Sequence, residues 1–132
     1  MSGTGTPSDP WNLTTPPGKS GYQIWRDEDK GVIHCQVGKT WLHYKPSAID
    51  DLHAMLVAHG DWMELGNKDE KQDTKPNTVE AWGRSADNPV GGWYGLRKGY
   101  RGRFANYITP ILKEQGRVEF EKQGRGWWVR AI

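Results

Sequence analysis

Phe104, Tyr107, Ile108, Ile111 and Leu112 recur three and four residues apart, and a strand, a turn and a second strand follow directly to the last residue. A helical period that switches to a period of two restricts this half of the chain to a helix packed on a β-hairpin. Gly116 stops the helix. Val118 and Phe120 then alternate with Glu119 and Glu121, Gln123-Gly124-Arg125-Gly126 turns, and Trp127 to Ile132 returns. Pro110 falls inside the helical pattern, where it removes one backbone bond and crowds the carbonyl of Asn106. The expectation is a helix that kinks there or restarts with Thr109 as a cap.

The glycine-rich stretch before this helix, GGWYGLRKGYRGR, makes the C-terminal part basic. From Gly91 to Ile132 nine Lys and Arg face three Glu, a net of +6, whereas the whole chain carries +2 and everything before Gly91 therefore nets −4. Such an asymmetry points to binding of an anionic partner rather than to a reaction.

At 132 residues the chain suits one domain. Its eight tryptophans supply core area that the low apolar fraction of 35% understates. A single cysteine, Cys35, and the lack of an N-terminal apolar segment suggest a reducing, cytoplasmic setting. No run approaches the roughly 18 apolar residues that span a bilayer, so no membrane partner is expected.

Residues 1–20, rich in Gly, Pro, Ser and Thr, read as a flexible arm, with docking of Trp11 as the rival reading, and 21–132 as one α+β domain. Strands at Tyr22–Trp25, Val32–Val37 and Thr40–Tyr44 form an N-terminal antiparallel meander, with Gly38-Lys39 as a tight hairpin loop. Ser47 and Asp50 suggest a capping box opening a helix that carries Ile49, Leu52, Met55 and Leu56 and stops at Gly60. Asp61–Leu65 reads as a short strand and residues 66–76 as a solvated charged loop. Asn77 and Glu80 suggest a second capping box before a helix over 78–86.

From Ser47 the order helix, strand, helix, helix, strand, strand resembles a winged helix-turn-helix. The resemblance implies that the third helix meets a DNA groove and the hairpin meets the backbone. On that reading double-stranded DNA is contacted by Arg103, Asn106, Thr109 and Lys113 on the helix. Arg97, Lys98 and Arg101 in the glycine-rich loop and Lys122 and Arg125 at the hairpin tip add phosphate contacts. Residues 87–100 are longer than the usual turn between the second and third helices, and Glu119 and Glu121 place negative charge on the wing.

The competing expectation is a protein-interaction module that anchors an unknown protein partner through Trp93, Tyr94, Trp127 and Trp128. Trp25, Trp41, Trp62 and Trp82 are expected in the core. No catalytic residue, metal or cofactor is expected: Cys35 and His34 point to opposite faces of one strand, and His53 and His59 do not share the four-residue spacing of metal ligands. Both readings make the chain a non-enzymatic binding domain.

Overall fold

The computed structural model describes residues 3–18 and 20–132. Its elements run β1 (Trp11–Thr14), β2 (Gly21–Asp27), β3 (Val32–Val37), β4 (Thr40–Tyr44), α1 (Ala48–His59), β5 (Met63–Glu64), α2 (Val79–Trp82), α3 (Phe104–Glu114), β6 (Val118–Gln123) and β7 (Gly126–Ala131). β1 to β4 form one antiparallel sheet in chain order, and β7 lies between β5 and β6 in a second sheet. The fold is α+β, with the N-terminal meander, three helices and the C-terminal hairpin that the sequence suggested.

The meander has four strands rather than three, because residues assigned to a flexible arm supply β1. Trp11 lies opposite Ile24 and Thr14 opposite Gly21. Trp11 is buried, and the Arg26 guanidinium sits 5.3 Å from its ring centroid. Burial of the indole and the pairing of β1 with β2 together oppose the ordering cost of this Gly- and Pro-rich segment. Met1, Ser2 and Lys19 of the expected arm lie outside the described residues.

Alternation sets what the meander buries. Tyr22, Ile24, Ile33, Cys35, Leu42 and Tyr44 face the core, where α3 covers them. The Tyr44 hydroxyl donates to the Gly102 carbonyl at 3.1 Å, and its ring meets Phe104 edge-on at 6.0 Å. β3 turns into β4 through Gly38 at φ 59°, the left-handed conformation that a two-residue loop with glycine first requires.

α3 runs through Pro110 as a single element, so the helix does not restart there. Pro110 cannot donate to the Asn106 carbonyl. The Tyr22 hydroxyl stands beside this gap, 2.8 Å from the Tyr107 carbonyl and 3.5 Å from that of Asn106. The helix is enclosed by α1, α2, β1 and β6.

Both capping boxes differ from expectation. Ser47 precedes α1 in helical geometry and makes no side-chain cap bond. α2 covers only four residues and is capped by Thr78, whose hydroxyl accepts from Ala81 N at 3.2 Å. Glu80 is thereby released inward, with its carboxylate accepting from Phe104 N at 3.3 Å and Ala105 N at 3.0 Å at the start of α3. Arg84 donates to it at 2.8 Å. The terminal nitrogens of Arg84 also reach the carbonyls of Lys68, Asp69, Glu70 and Gln72, so the charged loop is tied down rather than merely solvated.

Candidate functional site

The open face of the meander is the opposite parity of the same strands: Gln23, Trp25 and Asp27 from β2, His34 and Gln36 from β3, Trp41 and His43 from β4. Register aligns them in rows. Trp25 lies opposite His34, which lies opposite His43, while Gln23, Gln36 and Trp41 form the next row. Trp25 and Trp41 therefore leave the core position expected for them. Trp41 is 39% exposed, and Trp25 is half-buried at its side.

These rings form a notch instead of a flat surface. Trp25 lies over His34 at 5.4 Å and 34°, whereas Trp41 stands nearly perpendicular to both, at 86° to each. The floor is completed by His43, whose ring centroid is 5.0 Å from that of His34. His34 Nε2 is 3.3 Å from Asp27 Oδ2, which holds the imidazole in place.

The glycine-rich basic loop runs along the free edge of β4. Gly95 forms a bridge with Tyr44, and Leu96 N donates to the His43 carbonyl at 2.8 Å. Arg97 then donates through one terminal nitrogen to the Trp41 carbonyl at 2.9 Å, with its guanidinium carbon 4.0 Å from the Tyr100 ring centroid. Burial pushes the His43 imidazole below its ordinary value, and His34, Arg97 and Lys30 push it the same way. Aromatic rings and cations therefore share one surface.

The loop is held in shape from beneath. Glu70 accepts from Gly99 N at 2.8 Å and Arg101 N at 3.0 Å, and its carboxylate lies 3.8 Å from Arg101 Nε. Arg97, Lys98 and Arg103 remain exposed, and Arg101 is partly buried.

The helical residues expected to read DNA are not presented together. Thr109 is fully buried, and its hydroxyl donates to the Ala105 carbonyl. Asn106 is half-buried; Lys113 is exposed near the C-terminal end of α3, 5.7 Å from the Phe120 ring centroid. Lys122 and Arg125 are exposed at the hairpin tip. A helix enclosed on its Thr109 side cannot lay that side in a groove.

Among the aromatics named as partner anchors, Tyr94 is also fully buried, with its hydroxyl 2.9 Å from Asp51 Oδ2. Trp93 is half-buried with Arg84 and Arg101 over its ring, at 4.3 Å and 5.7 Å. Trp127 and Trp128 are half-buried on opposite faces of β7, and Trp127 packs against the core.

The sequence signals that His34, Trp41 and His43 share one face of the meander, though not which face is covered. Once Ile33, Cys35, Leu42 and Tyr44 are assigned inward, His34, Trp41 and His43 must point the other way. Cys35 is fully buried, and burial pushes its thiol up, which leaves no thiolate to act as a nucleophile. Among the described residues no group of three His, Cys, Asp or Glu side chains could hold a metal ion, and no helix is long and apolar enough to cross a membrane.

Residues 3–132 match a family of unknown function (DUF6855), and the chain belongs to that family. No curated protein and no solved structure matches it.

Proposed function

We propose that this family member is a non-enzymatic binding domain that holds single-stranded nucleic acid on the open face of the meander. Trp41 stacks a base, Trp25 and His34 floor the notch beside it, and Arg97, Lys98 and Lys30 neutralise phosphates. The observation that carries this reading is the Arg97 to Trp41 bond at 2.9 Å, which ties the basic loop to the aromatic row. Stacking rings beside a cationic track are what a single strand requires, since every base offers a π-face and every linkage a negative charge.

Two competing ligand classes fit less well. A methylated ammonium would suit two tryptophans and Asp27, but Arg97 and Lys30 lie close enough to His43 to shift its titration and would repel such a cation. An extended carbohydrate platform calls for coplanar rings, and Trp25 and Trp41 stand at 86°. Duplex DNA is disfavoured by the burial of Thr109 on α3.

The test is fluorescence anisotropy with a labelled single strand and its duplex over a range of salt. Three phosphate contacts give a log–log salt slope of about −2 for a single strand. Trp41→Ala should weaken binding about 5- to 150-fold, the equivalent of about 1–3 kcal/mol for one stacked base. Duplex preference, or no single-strand binding at low salt, would overturn the proposal.

A further inference from the structure

Arg97 joins the aromatic notch to a second open ring. The guanidinium that donates to the Trp41 carbonyl at 2.9 Å also lies 4.0 Å from the Tyr100 ring centroid. The two rings are almost equally accessible, Trp41 at 39% and Tyr100 at 41%. Tyr100 N donates to the Arg97 carbonyl at 2.8 Å, so a tight turn of the basic loop sets the ring beside the cation. Gly99 inside that turn stands at φ 90°, a left-handed conformation that glycine adopts without strain, and Glu70 accepts its N–H.

Tyr100 also lines a hollow of about 270 Å³, together with Thr40 and Leu42 of β4 and Tyr107 of α3. A cavity of about 150 Å³ already admits benzene, so this one has room for a base. Thr40 and Leu42 alternate with Trp41 along β4, which puts the hollow on the opposite side of the sheet from the notch. β4 pairs only with β3, and the Trp41 carbonyl that Arg97 holds belongs to its free edge, so Arg97 stands where the two sides meet. Charge in the hollow is balanced: Arg103 is exposed there, and the Asp69 carboxylate is engaged by Glu70 N at 2.6 Å.

We infer that a single strand stacked on Trp41 crosses the free edge of β4 and sets a second base against Tyr100, with a phosphate between the two held by Arg97. This rests on the single-strand reading above and gives that site its path and its second platform. One cation between two open rings matches the repeating unit of a strand, in which a charged linkage separates two π-faces. Base identity plays no part, because a phenol ring stacks on any base.

The test is fluorescence anisotropy with a labelled ten-residue thymidine strand over a range of salt. Tyr100→Leu, which keeps an apolar side chain and removes the ring, should weaken binding about 5- to 150-fold at fixed salt, the span expected of one stacked base. Its log–log salt slope should match that of the wild type, because no phosphate contact is lost. Tyr100→Phe, which keeps the ring, should bind as the wild type does, and circular dichroism checks that both variants retain the fold. In the unaltered protein, a strand carrying 5-iodouracil should crosslink under light to Tyr100 as well as to Trp41. Crosslinks to Trp41 alone, or unchanged affinity of Tyr100→Leu, overturn the second platform and leave the reading at Trp41 standing. A weakened Tyr100→Leu whose slope also falls by about 0.7, the share of one phosphate on a single strand, overturns it too, because the ring then only positions Arg97. No binding of the strand by the wild-type protein overturns both.

Discussion

Glu80 Oε1 lies 3.0 Å from the amide nitrogen of Ala105, so a carboxylate from α2 caps the amino end of α3. Arg84 is paired with the same carboxylate at 2.8 Å, and both side chains are almost wholly buried. Removing the carboxylate leaves two amides without their acceptor and the Arg84 guanidinium without its counter-charge. Glu80→Ala should therefore destabilise the fold by about 3–5 kcal/mol, measured by urea unfolding. Burial, the larger influence, raises the Glu80 carboxyl, while Arg84 and the two amides pull it down. Glu80→Gln, which keeps an acceptor and carries no charge to desolvate, should cost clearly less. A loss below about 1 kcal/mol for Glu80→Ala would show that the carboxylate does not cap α3.

Tyr22 and Pro110 should be coupled. The hydroxyl that stands over the carbonyls of Tyr107 and Asn106 has its greatest value when Pro110 supplies no N–H. Tyr22→Phe should cost about 1–3 kcal/mol as the buried acceptor loses its partner. In a Pro110→Ala background the cost should be smaller, and a thermal-unfolding double-mutant cycle reads the difference. Strict additivity would separate the two residues.

Gly102 marks where the charged loop and the basic loop touch. A Cβ there would stand 2.3 Å from Glu70 N and 2.7 Å from the Asp69 carbonyl carbon, both backbone atoms that cannot swing aside. Gly102→Ala should destabilise by about 1–3 kcal/mol through overpacking. Because the same contact supports the Gly99 and Arg101 bonds to Glu70, it should also weaken single-strand binding. Unchanged stability by urea unfolding would contradict the interlock.

His43 should titrate below the ordinary histidine value, and NMR of its ring protons checks this. Because the folded value is lowered, the unfolded chain binds the proton better. The stability His43 contributes is thus complete above about 6.5, the unfolded value, and is lost as pH falls from there through the folded value. The groups that face it are His34, itself paired with Asp27, together with Arg97 and Lys30. Arg97→Ala should raise the His43 value. Single-strand affinity should rise as pH falls through the same window, because a nearby phosphate favours the imidazolium.

The elements were largely legible in the residues. The 3.6-residue recurrence of Phe104 to Leu112, the alternation of Val118 to Glu121 and the Gly38-Lys39 loop each carry a local signal that survives into the structure. What those signals cannot carry is which side of an element meets which neighbour. Helical spacing places Thr109 outward, yet it is fully buried in a helix that α1, α2, β1 and β6 all contact, and no short window of sequence contains these partners.

The sequence by itself determined the helices, hairpins and basic C-terminal half, because periodicity, turn chemistry and charge act within a few residues. Tertiary structure decided the site. A period of two defines two faces for the meander but is silent on which one α3 covers. Contacts between residues 22 and 107, 44 and 102, and 41 and 97 settle that choice, burying Tyr22 and Tyr44 and leaving Trp41, His43 and Gln36 on the open side. Burial is a property of pairs distant in the chain, so only their packing assigns it.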